Sequence, residues 1–397
     1  MRAVLIKGES RYEALTVFLD HLAAALQARG YDVAMIDAMA ESDRGAAFRR
    51  EAASASDFVF TFNILGDYRD PDGRSLGQVF GAPHVVQYVD YPLTHWVALD
   101  RTARDTALLM VDASHVETVA AIYGEHHFAH LAFSPHGAFR SKGERQATAS
   151  EFEAARPIRI LFAGSFYAPQ PPWWETQPPV IAAIFRRAVE LALAEEAAPA
   201  LAALDVSLAE HGLDPTDADV LPFRKLATHV HEHVRASRRV SALETAADLA
   251  LPVHVYGEGY DPHRARFGSF TFGGPADMER VAALMGSSRL VLNINANFGA
   301  GSHERPLLAL ASGAAAATDI SSFYASHFDV GAELAVYRWT SLREDLAAIG
   351  ELAKDSEALH AMAGAGHRRV MAEHGWDARI DAIIRAADAA RPRLRAA

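Results

Sequence analysis

The sequence predicts an α/β protein built as two compact units, each a parallel sheet with helices on both faces. Three observations predict it. A chain of 397 residues exceeds the size at which a single hydrophobic core usually keeps growing. Short, continuously apolar runs alternate with stretches of helical apolar spacing in both halves, as buried strands joined by crossover helices require. Residues 141–156 are polar and charged, carry no strand pattern, and separate the two alternations.

In the first half, the apolar run at 3–6 reads as a strand ending at Lys7-Gly8. Apolar residues then recur at helical spacing over 12–26, with Gly30 as the candidate C-cap. Runs at 33–36, 57–62, 84–88, 108–111 and 129–133 are further strands, too short and too evenly apolar for surface helices, and a helix begins near His115.

The second half opens with a strand at 158–163 that stops at Gly164-Ser165. Residues 174–250 are rich in Ala, Leu and Glu at helical spacing, interrupted at 212–222, and form a helical insertion. Strands resume at 253–256, 290–294 and 314–318, with an amphipathic stretch at 277–285. From residue 341 the pattern is helical, and Gly375-Trp376 sets off a last helix from about 377 to 390. The expected division is residues 1–150, residues 151–376 with the insertion, and a terminal helix at 377–397.

Composition narrows the function. The formal charge of −12, from 38 Lys and Arg against 50 Asp and Glu, repels polyanions and argues against nucleic acid as a partner. The absence of cysteine excludes disulfides, thiolate metal sites and a thiol nucleophile. No apolar segment reaches the roughly eighteen residues a membrane span needs, and the opening apolar run is too short for a signal-peptide core. A cytoplasmic protein without a transmembrane segment is the expectation.

In a parallel sheet of this kind ligands bind beyond the carboxyl ends of the strands. Three such loops stand out. Gly164 lets a backbone approach a phosphate closely and Ser165 adds a hydroxyl; a plain turn is the alternative. Gly257, Glu258 and Gly259 permit approach of a ring or sugar, but as an isolated signal this is weak and a plain turn explains them better. The third loop runs from Asn293 through Asn295 to Ser302, His303, Glu304 and Arg305, with Pro306 suited to the first turn of a helix. A helix N-terminus favours an anion, and Arg305 is suited to supply charge-assisted hydrogen bonds to a diphosphate; an N-cap with a solvated ion pair is the alternative.

The order of these loops, ending in Arg305, Ala309, Ala311, Ser312, Gly313 and a short apolar strand, resembles the carboxyl lobe of group 1 GT-B glycosyltransferases, in particular the spore-maturation CgeB-like proteins. The segment from Asp355 to Gly375-Trp376-Asp377-Ala378-Arg379 resembles that family's closing stretch. The resemblance implies two Rossmann-like lobes facing an interdomain cleft, with the last helix crossing back to the first lobe. It implies transfer of a sugar from a UDP-, dTDP- or GDP-sugar, with no tightly bound cofactor and no metal. The acceptor, whether protein, glycan or small molecule, and the oligomeric state stay open. One departure is evident: the glutamate that the family uses on the ribose hydroxyls falls at Leu308, which accepts no hydrogen bond. Glu304 reaches the ribose instead, or the donor makes no such demand, or activity is lost.

The segment after the fourth strand, Gln87 to Trp96, resembles an Asp-Pro-containing segment of the same proteins. An inverting transferase needs a base for the acceptor hydroxyl, and Asp90 is the first candidate, with His95 second; a turn residue and a helix-start residue are the alternatives. The alternation of His229, His231 and His233 on a helix argues against a metal site. Trp173 and Trp174 are either an aromatic platform or a core anchor for the insertion. Two other readings compete: a degenerate protein that binds a nucleotide sugar or a protein partner without turnover, and a dinucleotide oxidoreductase, which Lys7-Gly8-Glu9-Ser10 disfavours because it lacks the Gly-x-Gly-x-x-Gly fingerprint.

Overall fold

The computed structural model describes residues 1–40, 43–139, 146–295 and 298–396. Residues 141–145 of the polar stretch, and Ala296 and Asn297 of the third loop, lie outside the described residues. Two compact units comprise Met1–Gly137 with His374–Ala397, and Ala138–Glu373. Each holds a parallel sheet of six strands among the described residues.

In the first unit the apolar runs become β1 (Arg2–Lys7), β2 (Asp32–Asp37), β3 (Phe58–Phe62), β4 (His84–Tyr88), β5 (Ala107–Met110) and β6 (His130–Phe133). Their connections are α1 (Ala14–Ala28), α2 (Arg44–Ala52), α3 (Leu76–Phe80), α4 (Trp96–Arg101) and α5 (Ala113–Tyr123). The strand order β2-β1-β3-β4-β5-β6 reverses between β1 and β3. Every residue of β3, β4 and β5 is buried, which is why their sequences carry no polar alternation. Helix α1 stops at Gly30, whose φ of +84° lets the Tyr31 amide reach back to Leu26 O at 3.1 Å.

In the second unit α6 (Ala149–Ala155) leads into β7 (Ile158–Ala163), and the insertion follows as α7 (Pro179–Ala194), α8 (Ala200–Glu210), α9 (Leu221–Arg224) and α10 (Ala227–Asp248). Trp174, 3% exposed, stacks on Phe185 with ring centroids 5.3 Å apart, so it anchors the core of the insertion. The alternation resumes with β8 (Val253–Tyr256), β9 (Thr271–Gly274), α11 (Met278–Gly286), β10 (Ser288–Leu292), α12 (Glu304–Ala311), β11 (Ala315–Asp319), α13 (Ser322–His327) and β12 (Ala335–Tyr337). Helices α14 (Leu342–Leu352) and α15 (Ser356–Glu373) close the unit. Read outward from β7, the order is β9-β8-β7-β10-β11-β12, the arrangement of a dinucleotide-binding sheet.

Strand β10 begins two residues before the expected run at 290–294 because Ser288 and Arg289 are polar. Ser288 is fully buried there, its hydroxyl satisfied by Leu284 O at 2.7 Å. The last helix, α16 (Asp377–Ala396), belongs to the first unit and packs on α1, β4, β5 and β6. Among the described residues no helix is long and apolar enough to cross a membrane.

Candidate functional site

The second sheet reverses direction between β7 and β10, so the chain leaves these neighbouring strands to opposite sides and opens a crevice beyond their carboxyl ends. Gly164 and Ser165 follow β7, Asn293 and Asn295 follow β10, and Ser302 to Arg305 lead into α12. Arg305 joins the two sides: its Nη1 donates to Ala163 O, the last residue of β7, at 2.6 Å. Its Nη2 lies 2.8 Å from His303 Nε2. Since a guanidinium only donates, His303 accepts at Nε2 and carries its proton on Nδ1, where the Glu304 carboxylate receives it. Burial first, and then the Arg305 guanidinium, hold the His303 imidazole below its ordinary pKa, with Glu304 opposing. A neutral ring is what the hydrogen bond from Arg305 requires.

Beside this, the loops after β7 and β8 are locked together. Gly164 N donates to Tyr256 O at 2.8 Å and Phe166 N to Glu258 O at 2.8 Å. Ser165 Oγ accepts from Glu258 N at 3.2 Å, and Tyr260 Oη donates to Gly164 O at 2.7 Å. A Cβ on Gly257 would stand 2.4 Å from Gly164 O, and one on Gly259 2.3 Å from Phe166 O. Both glycines therefore serve close backbone approach.

The loop after β10 is held by buried polar side chains. Asn293, fully buried, donates to Thr318 Oγ1 at 3.0 Å and accepts on its carbonyl from Tyr337 Oη at 2.9 Å. Asn295 Oδ1 accepts from His303 N at 2.7 Å, and its own amide donates to Asp319 Oδ1. Ser302 Oγ donates to His303 O and lies 2.8 Å from Tyr324 Oη. Asn293, Asn295 and Ser302 thus shape the loop, while Arg305, His303 and Glu304 stand at its end. Burial raises the Asp319 carboxyl to about 6.

Arg235, Arg239, Tyr260 and Asp319 are not evident from loop composition. Arg239 on α10 donates to Ser165 O at 3.0 Å, and its Nε has no partner among the described residues. Burial, then Arg305 and Arg235, lower its pKa to about 10. Arg235, exposed one helical turn earlier, acts electrostatically on both Arg239 and Arg305. The sequence signal was the i,i+4 spacing of two arginines on a helix with a largely apolar face.

In the first unit, Asp90 lies beyond β4 with its side chain 53% exposed. Asn63, after β3, donates from Nδ2 to Asp90 Oδ2 at 2.8 Å and accepts from Val89 N at 2.9 Å. His95 Nε2 is 3.5 Å from the same Asp90 oxygen. Asp90 and His95 are thus adjacent, and Asn63 orients the carboxylate.

Residues 235–385 match a family model described as glycosyl transferase-like. Among solved structures, 96% of the chain aligns with 98% of Anabaena HepE, crystallised with UDP and glucose, at 11% identity and a TM-score of 0.52. The whole chain aligns with 99% of a sucrose-phosphate synthase from Thermosynechococcus elongatus at 12% identity and a TM-score of 0.52. It likewise aligns with 98% of AviGT4, a glycosyltransferase involved in avilamycin A biosynthesis, at 11% identity and a TM-score of 0.50. No curated protein matches the chain. The chain has the GT-B fold, two Rossmann-like α/β units, and carries a glycosyl transferase-like segment at residues 235–385.

Proposed function

We propose that the protein is a glycosyltransferase whose second unit binds a nucleotide-sugar donor. The observation that carries this reading is the convergence of Arg305 and Arg239 on the end of β7 and the loop after it, with the exposed Arg235 acting electrostatically on both. The buried Arg239 and half-buried Arg305 repel each other and are stabilised by an anion, and a diphosphate at a helix N-terminus meets that demand. As the sugar leaves, negative charge grows on the diphosphate, and donors fixed beforehand by Ala163 O, His303 and Ser165 O stabilise it without reorganising. UDP is the first nucleotide to test, because HepE is crystallised with UDP and glucose; dTDP and GDP follow. Asp90, oriented by Asn63 and adjoining His95, is the proposed acceptor-side base. The finer likeness to CgeB-like proteins rests on Arg305, Ala309, Ala311, Ser312 and Gly313.

Leu308 favours a second reading, binding without turnover. The residue is 1% exposed in the core of the unit, where it offers a ribose nothing. One experiment separates the readings. Calorimetric titration with UDP, dTDP and GDP should show saturable binding of at least one, weakened about 10- to 100-fold by Arg305→Ala, the loss of a charge-assisted contact. Release of free nucleotide from the matching sugar donor should be abolished by Asp90→Asn while binding persists. Absence of binding for every nucleotide overturns the proposal, and binding without release selects the second reading.

A further inference from the structure

A second charged cavity lies in the first unit, at the end of its sheet away from Asp90. Asp105 sits two residues before β5, and Ser75 caps α3 ahead of β4, whereas Asp90 follows β4. The cavity is open to solvent, has a volume of about 440 Å³ and is lined by Arg69, Arg104, Arg393, Asp105, Ser75 and Gln78 among others, a volume suited to a small metabolite.

Two of the arginines are fixed by backbone carbonyls. Arg69 donates to Tyr68 O at 2.7 Å and Arg101 O at 3.2 Å. Arg393, from α16, donates to His127 O at 3.0 Å and His126 O at 2.8 Å. Arg104 is exposed. Among the described residues none of the three pairs with a carboxylate, although the protein carries a formal charge of −12. Neighbouring Arg74, by contrast, is neutralised by Asp70 at 2.7 Å. Asp105 is 8% exposed, and its Oδ2 accepts from Ser75 Oγ at 2.7 Å. Gln78 uses its Oε1 on the Ser75 amide at 2.8 Å, leaving Nε2 as a donor.

The charges decide the ligand class. Three guanidiniums and one carboxylate leave the cavity with a charge of two positive units, which a phosphate monoester, at roughly −1.5 to −2 near neutrality, neutralises. A bare polyanion would be repelled by Asp105, whereas a ligand that also carries hydroxyls can donate one to that carboxylate. We propose that this cavity binds the phosphate monoester of a sugar or polyol, with the phosphate against Arg69, Arg104 and Arg393 and a hydroxyl on Asp105.

The test is calorimetric titration of the intact chain with glucose 6-phosphate, with inorganic phosphate and glucose as separate arms. Glucose 6-phosphate should bind at least about tenfold more tightly than inorganic phosphate. Arg104→Glu should weaken it by at least a further tenfold, Arg104→Gln and Arg69→Gln by less, and Arg305→Ala should leave it unchanged. Because Arg104 is exposed, its variants should keep the wild-type melting temperature, and Arg104→Gln stands in if Arg104→Glu does not. The proposal is overturned if inorganic phosphate binds as tightly as the sugar phosphate, if nothing saturates, or if binding survives Arg104→Glu and disappears in Arg305→Ala. That last pattern would move the ligand to the second unit and leave the glycosyltransferase reading intact.

Discussion

Among single residues, the buried carboxylate of Asp319 governs the loop that ends at Arg305. It is 3% exposed, accepts the Asn295 amide, and burial lifts its pKa from 3.8 to about 6. A folded pKa above the unfolded one means that the folded state favours the neutral carboxyl. The associated stability is complete below pH 3.8 and is lost as pH rises through about 6. At about 1.4 kcal/mol per pK unit, the change over that window is on the order of 3 kcal/mol. Asp319→Asn keeps an acceptor for the Asn295 amide and has no charge to bury. Urea unfolding should therefore show the variant gaining on wild type between pH 4 and 7, and equal pH slopes for the two proteins would refute the assignment. Nothing in the sequence marks this aspartate, since it ends an alanine-rich strand and becomes significant only when β10 and the loop after it lie alongside. The place of Arg305 in the first turn of a helix was legible, because a glycine loop, a first-turn proline and an arginine share one short segment. Arg239 was hidden inside a helix whose function depends on where that helix packs.

Secondary-structure elements bring the loops after β7 and β8 to within backbone contact, and Gly259 is where that contact admits no side chain. Its φ is +85°, and a Cβ would stand 2.3 Å from Phe166 O. Gly259→Ala should cost about 1–3 kcal/mol from conformational strain, with further loss from the displaced Phe166 carbonyl. Gly268 in the same unit has nothing within 4 Å of such a Cβ, so Gly268→Ala is the matched control and should change stability by less than about 0.5 kcal/mol. Chemical denaturation of both variants checks the difference, and similar midpoints would show that the two loops adjust without cost. The same element scale explains what the sequence concealed. Strands buried on both faces, such as β3, β4 and β5, were legible as short, mainly apolar runs. Strand β9, Thr-Phe-Gly-Gly at the sheet edge with half its residues exposed, has the composition of a turn, and β12 is three residues long. Helix α13, six residues from Ser322 to His327, is too short to show a period.

At the scale of the whole molecule, the chain returns to its first unit at the end, and the return is built into the core. Trp376, 3% exposed, has its ring 5.9 Å from both Phe18 and Phe62. Along α16, Ile380, Ile383, Ala386 and Ala390 are fully buried against α1, β4, β5 and β6. Arg379 donates from Nε to His136 O at 3.1 Å, while Arg29 on the first unit donates to Asp377 O at 2.7 Å. Each large apolar side chain contributes about 1.5–3 kcal/mol on burial, so Trp376, Ile380 and Ile383 together supply roughly 5–9 kcal/mol, comparable with the entire stability of an ordinary domain. A chain ending at Gly375 should therefore lose the cooperative melting of residues 1–137, which calorimetry would record as a missing or strongly lowered transition. Limited proteolysis should cut first within those residues. Residues 138–373 have their own sheet and core, and should keep their transition and, on the proposed function, the nucleotide affinity measured for the full chain. A truncated chain that melts like the intact one would mean that α16 only covers a first unit already stable by itself. Simultaneous loss of both transitions would mean that the two compact units fold as one.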